Sequence, residues 1–148
     1  PYFLARADVY VEEGNYRQAV FDYTRYELLK GRRQLGADFY YVREQAEVKG
    51  KLFKQALIDI NMAVMLAPKE PLYWAEKASL ELRVNMIDEA MKTAQHCVEL
   101  APDYADGYLL LGLAQVQKGN KAEGLENMKK AQELGNEQAE KLIEKYSK

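Results

Sequence analysis

The chain has 148 residues, of which 48% are hydrophobic and 30% charged, and its formal net charge is -2. That length favours one domain with a buried core, and the charge argues against nucleic acid or an anionic membrane as the main partner, since both call for a basic stripe. No stretch approaches the roughly 18 apolar residues that span a bilayer, and a single cysteine, Cys97, rules out an intrachain disulfide. The sequence opens at Pro1, directly into helix-like residues with no initiator methionine or targeting segment. Such a start reads as that of a fragment, and the compartment stays unassigned.

In chain order, the pattern predicts pairs of helices joined by short turns. Tyr2 to Glu13 ends at Gly14-Asn15, and Tyr16 to Lys30 ends at Gly31, where glycine supplies a left-handed stop. A second pair runs from about Asp38 to Lys49, breaks at Gly50, resumes from Leu52 to Leu66 and closes at Pro68. The third begins near Glu70-Pro71, where proline in a first turn loses no hydrogen bond, breaks at Asn85, and runs again from Ile87 to Leu100 before Pro102. The fourth starts at Tyr104, turns at Gly119-Asn120 and ends at Gly135. A ninth helix within 137–147 closes the chain. No strand-type alternation is present, so the fold class is all-α.

The pairs share a period. Ala56, Ala90 and Gly124 are 34 residues apart, with Ala19 lying 37 before Ala56. The aromatics Phe3, Tyr40, Trp74 and Tyr108 keep the same steps of 37, 34 and 34. Two residue classes in one register define an internal repeat. The repeats fall at about 1–33, 37–69, 71–103 and 105–135 in a single solenoid domain. In the last first-type helix, Tyr108, Leu111 and Gln115 face one way and Leu109, Leu113 and Val116 another, which is too much apolar surface for one partner helix. Each repeat therefore needs its neighbour. The small residues are expected to let paired helices approach closely, with the aromatics filling the space between them.

These residues resemble the tetratricopeptide repeat. Its signature is an aromatic, two residues, Leu-Gly, two residues and Tyr, then Ala, three residues and an aromatic, and finally Pro. The fourth repeat offers Tyr108, Leu111-Gly112, Gln115, Gly124 and Met128; the third offers Trp74, Lys77-Ala78, Glu81, Ala90, Ala94 and Pro102. The first offers Phe3, Arg6-Ala7, Tyr10, Ala19 and Tyr23, and the second Tyr40, Ala56, Ile60, Ala63 and Pro68. The resemblance covers about residues 2–135. The pattern is broken at Gly31 to Gly36, where three extra residues and no closing proline leave either a splayed pair, a functional loop or a neutral insertion. The last helix, with Ala139, Leu142, Ile143 and Tyr146 on one face, looks like the cap that a solenoid needs.

The resemblance implies a right-handed superhelix whose first helices line a concave groove for a peptide or partner protein. On the period, the groove residues are Leu4, Asp8 and Glu12; Tyr41, Gln45 and Lys49; Ala75, Ser79 and Arg83; and Leu109, Leu113 and Gln117. That lining runs from acidic, through a polar and basic middle at Lys49 and Arg83, to an apolar patch at Leu109 and Leu113. The patch has a second reading, as the seat of the closing helix through Leu142 and Ile143. Relatives that clamp the C-terminal carboxylate of heat-shock chaperones use Lys, Asn and Arg at such places, where this chain has Leu4, Asp8, Ala75 and Ser79. No carboxylate clamp is expected.

Catalytic constellations are hard to find. His96 and Cys97 are the only histidine and cysteine, and helix neighbours point about 100° apart, so neither a nucleophile-base pair nor a zinc site follows. Cys97 falls where the other repeats carry Tyr26, Ala63 and Ala131, which reads as core packing; His96 reads as solvated. No glycine-rich phosphate loop appears, and Lys30, Arg32 and Arg33 read as a solvated loop. No cofactor or metal is expected, and the chain reads as non-catalytic. Two functions remain: a module or scaffold that binds a protein or peptide segment in its groove, or a structural segment whose surfaces join other repeats of a longer chain or a second copy of itself, for which an exposed aromatic edge at Tyr2, Phe3 and Tyr10, without a polar cap, would speak.

Overall fold

The computed structural model describes all of residues 1–148, in nine α-helices without a strand. They are α1 (Tyr2–Glu12), α2 (Tyr16–Lys30), α3 (Ala37–Lys49), α4 (Phe53–Leu66), α5 (Pro71–Arg83), α6 (Ile87–Leu100), α7 (Ala105–Lys118), α8 (Lys121–Glu133) and α9 (Ala139–Ser147). Each expected helix is present to within about two residues of its expected ends. The chain divides into two compact units, 1–68 and 69–148. In the first, α1 packs on α2, α2 on α3 and α3 on α4; in the second, α5 packs on α6, α6 on α7, α7 on α8 and α8 on α9.

One turn recurs inside all four pairs. Gly14, Lys51, Asn85 and Gly119 have φ of 79°, 61°, 66° and 102°, and they occupy equivalent places in the repeat. The amide after each reaches back to the carbonyl five residues earlier: Asn15 to Tyr10 and Leu52 to Glu47 at 2.7 Å, Met86 to Glu81 at 2.7 Å and Asn120 to Gln115 at 2.8 Å. This is the Schellman arrangement, which satisfies carbonyls that the helix end leaves open. The second turn differs in detail from the sequence expectation. Gly50 has an ordinary φ of -82°, and the left-handed place falls to Lys51, one residue later. A side chain there costs about 1–2 kcal/mol relative to glycine.

The small residues of the period are buried. Ala19, Ala56 and Ala90 are 0% exposed, and Gly124 lies where α8 meets α7. A Cβ on Gly124 would stand 2.7 Å from the Gly112 carbonyl oxygen and 2.5 Å from Val116 Cγ2; one on Gly112 would stand 2.6 Å from the Gly124 oxygen. α7 and α8 therefore meet backbone to backbone. The aromatics are less uniform than their spacing suggests. Tyr40 is fully buried, whereas Phe3, Trp74 and Tyr108 are half-buried, and Trp74 stacks on the exposed His96 ring at 4.2 Å between centroids.

Each unit has its own core. In the first, Ala7, Ala19, Tyr23 and Ala46 form a cluster with Leu4, Tyr10, Val20 and Phe39 against it. In the second, Ala78, Ala94, Val98 and Leu111 form one cluster. Another, of Leu109, Met128, Ala131 and Ala139, receives Leu113, Leu142, Ile143 and Tyr146. α9 thus covers the end of the second unit, and Asn136 starts it by accepting from the Gln138 and Ala139 amides at 2.9 and 3.1 Å.

Candidate functional site

The first helices of each unit border a cleft. In the first unit α1 contributes Leu4 and Asp8, α2 Tyr23 and Tyr26, and α3 Asp38, Phe39 and Val42, around a volume of about 370 Å³. Its remaining wall is the Gly31–Gly36 connection. The extra residues form a 3-10 turn, Arg32–Gln34, and Gln34 and Leu35 reach the cleft. Asp8 is held in place because Tyr23 donates its hydroxyl to Oδ1 at 2.7 Å; burial and that bond together keep the phenol protonated.

In the second unit a cleft of about 440 Å³ lies between α5, α7 and the turn before α9. Leu72, Ala75, Leu109 and Leu110 supply its apolar surface, and Ser79 its hydroxyl. Glu76, Asp106 and Glu137 supply its charge. Asn136 donates to Asp106 at 2.8 Å, tying α7 to the turn. No Lys or Arg lines either cleft. Two helix faces and one turn thus form walls with small and apolar side chains and a surplus of carboxylate.

Of the residues placed on the groove by periodicity, the structure brings Asp8 into the first cleft and Ser79 and Leu109 into the second, with Leu4 and Ala75 beside them. Leu109 is only 5% exposed and belongs to the cluster under α9, where Leu113 also packs. Glu12, Lys49, Arg83 and Gln117, at the last turns of their helices, are exposed and line neither cleft. The expected basic middle is therefore absent from these two walls. Lys49 instead sets its ammonium 5.7 Å from the Tyr16 ring centre, and Gln45 donates to Glu44 at 2.6 Å. Tyr41 is half-buried. Periodicity missed Glu76, Asp106 and Glu137, because it marked one residue per turn and took no account of the turn before α9.

A second feature went unread. Arg6 clamps Asp22 through Nε and Nη2 at 2.6 and 2.8 Å, and Arg43 clamps Asp59 in the same way at 2.7 and 2.8 Å. Both pairs span 16 residues, and both partners recur at the 37-residue step, so the signal was present in the sequence. Arg43 also donates to Glu27 at 3.2 and 3.3 Å. All three residues are buried, so the guanidinium bridges carboxylates from α2 and α4. In the second unit the equivalent places hold Lys77 with Thr93 and Leu111 with Asn127, and the clamp is lost. Cys97 is fully buried, with burial raising its thiol pKa to about 11, so it stays protonated and inert near neutral pH.

Repeated antiparallel helix pairs with Schellman turns, small residues at the crossings and a terminal covering helix define a helical-repeat protein. The tetratricopeptide repeat model matches residues 72–104 and 105–135, so the second unit is similar to that family. Among curated proteins it is 26% identical over 95 residues, 64% of its length, to small glutamine-rich tetratricopeptide repeat-containing protein 2 of Saccharomyces cerevisiae, of which it covers 28%. It is 28% identical over 95 residues, 58% of its length, to the Hsp70-Hsp90 organizing protein of Triticum aestivum, of which it covers 16%. The chain thus spans under a third of the length of these relatives. Among solved structures, YrrB, a TPR protein with an unusual peptide-binding site, superposes with a TM-score of 0.82 at 23% identity, over 97% of this chain and 73% of that one. MamA does so at 0.78 and 20%, over 93% and 79%. The first TPR of Spaghetti (RPAP3) bound to the HSP90 peptide SRMEEVD does so at 0.70 and 19%, over 75% and 90%.

Proposed function

We propose that this chain is a non-catalytic protein-interaction module that holds a peptide segment against its first helices, and that the cleft of the second unit is its main seat. The observation that carries this reading is the lining of that cleft, which combines Leu72, Leu109 and Leu110 with Glu76, Asp106 and Glu137 and has no basic residue. A segment with apolar side chains and Lys or Arg satisfies both halves. An acidic chaperone tail meets three like charges and no clamp of its carboxylate. The test is a display selection from a random peptide library on the immobilised chain, repeated with Ser79→Arg. Enrichment of basic and apolar sequences, lost in the variant, is expected; enrichment of acidic C-terminal sequences, or selection unaffected by the variant, overturns the reading.

A second reading rests on a different observation. Tyr2, Phe21, Leu28 and Leu29 are 65%, 53%, 77% and 75% exposed, an apolar surface on the first pair of helices. Such a patch fits self-association through a second copy. Light scattering over a concentration series tests it, since a concentration-independent monomer removes this reading and leaves the cleft.

A further inference from the structure

The buried ion network of the first unit is the floor of a cleft separate from those along the first helices. α2 and α4 form its walls, with Phe21 and Ile58 at the mouth, and Arg43 and Glu47 of α3 lie at the bottom between Glu27 and Asp59, around about 390 Å³. Phe21 and Ile58 are 53% and 65% exposed, while Glu47 is 3% exposed. The mouth is apolar and open; the floor is polar and buried.

The polar accounting of the floor does not close. Arg43 uses Nε, Nη1 and Nη2 on Asp59 and Glu27, so its charge is fully engaged by two carboxylates. Glu47 Oε1 is buried and has no hydrogen-bond partner. An orphaned buried carboxyl oxygen costs about 1–3 kcal/mol and needs an explanation. The charges around it are Glu27 and the exposed Arg17 on α2, Arg43 and Glu44 on α3, and Asp59 on α4; Arg32, 80% exposed, reaches Glu27 at 3.6 Å. The two arginines beyond the floor stand in water, where their charge is screened. On the floor itself one cation faces two carboxylates and the Glu47 carboxyl.

We propose that this cleft is a second binding site, which takes a lysine side chain of a partner segment, with the ammonium on Glu47 and flanking apolar residues on Phe21 and Ile58. An ammonium offers the donors that Glu47 Oε1 lacks, and the apolar mouth suits the methylene stem. In the free chain the Glu47 carboxyl carries a proton. Burial first, and the hydrogen bond to Asp59 next, raise Glu47 to a pKa of about 10. When the ammonium enters, that proton leaves to solvent and the ion pair replaces it. A bound anion is disfavoured because the only buried cation is already shared by two carboxylates.

The experiment is a ¹⁵N–¹H titration of the whole chain with the capped peptide acetyl-Leu-Lys-Leu-amide, against the same peptide with norleucine for lysine. Saturating shifts at the amides of Val20, Glu47 and Ile58 are expected for the lysine peptide and not for norleucine. Glu47→Gln should weaken binding about tenfold. Ile58→Lys, at an exposed position that leaves the core untouched, should abolish it. Equal binding of the norleucine peptide, undiminished binding by both variants, or shifts confined to α5 and α7 would each overturn the proposal. The last of these would leave the second-unit cleft standing on its own.

Discussion

The close crossing of α7 and α8 supports a prediction whose sign runs against the sequence pattern. Three of the four repeats place alanine where the fourth has Gly124, so Gly124→Ala looks like a repair toward the pattern, worth about 0.5–1 kcal/mol in helix propensity. The structure opposes it. The added Cβ would lie 2.7 Å from the Gly112 carbonyl oxygen and 3.0 Å from the Val116 amide nitrogen, both backbone atoms, as well as 2.5 Å from Val116 Cγ2. Backbone cannot rotate away as a side-chain tip can, so α7 and α8 must separate, at the upper end of the about 1–3 kcal/mol that overpacking costs. The net is a loss of about 1–2 kcal/mol. For a chain of this length that lowers Tm by about 2–8 °C, measurable by circular dichroism at 222 nm. An unchanged or raised Tm would refute the reasoning, since propensity would then have won and the helices would not touch there.

The other stability predictions follow from the turn and the ion network. Lys51→Gly should stabilise by about 0.5–1 kcal/mol, because the about 1–2 kcal/mol that a side chain costs at a left-handed φ of 61° outweighs the extra chain entropy that glycine loses on folding; a fall in the urea midpoint would contradict the turn. Arg43→Met leaves the Glu27 and Asp59 carboxylates buried without their cation and should cost about 3–5 kcal/mol, whereas a loss below about 1 kcal/mol in urea denaturation would mean the bridge is not formed. For Glu47 the folded pKa of about 10 lies above the ordinary 4.5. The fold favours the protonated form, and stability present below pH 4.5 is eroded as pH rises toward 10, because only the unfolded chain ionises freely. Glu47→Gln removes that dependence, so its Tm advantage over the parent chain should grow between pH 5 and 9. An advantage independent of pH would contradict a buried, protonated carboxyl.

The helices were readable because two signals coincided. A 34-residue beat of small and aromatic residues set the register, and glycine, asparagine and proline marked the ends. The left-handed place in the second turn was not, since Gly50 is the residue that local propensity favours there, whereas the repeat register puts Lys51 at the place of Gly14, Asn85 and Gly119. Of the residues that the period assigns to the groove, Asp8, Ser79 and Leu109 border clefts. At the last turns of their helices, Glu12, Lys49, Arg83 and Gln117 line neither cleft, because a period continues along a helix face whether or not a wall continues beside it. Arg6 and Arg43 recur with Asp22 and Asp59 at the 37-residue step, but charged residues are usually solvated, and spacing alone does not separate a buried pair from an exposed one. The three extra residues after Gly31 could be read as neutral or functional; their 3-10 turn forms a cleft wall.

The most direct test of an acid-lined peptide seat is a fluorescence anisotropy titration with two labelled peptides, the acidic SRMEEVD and its charge-reversed form SRMKKVK. Glu76→Lys combined with Glu137→Lys serves as the control protein. The lining of the second-unit cleft predicts that the basic peptide binds at least about tenfold more tightly than the acidic one, a difference of about 1.4 kcal/mol, that salt weakens it, and that the control protein reverses the preference. Micromolar binding of the acidic peptide to the unaltered chain, with the basic peptide no better, would contradict it.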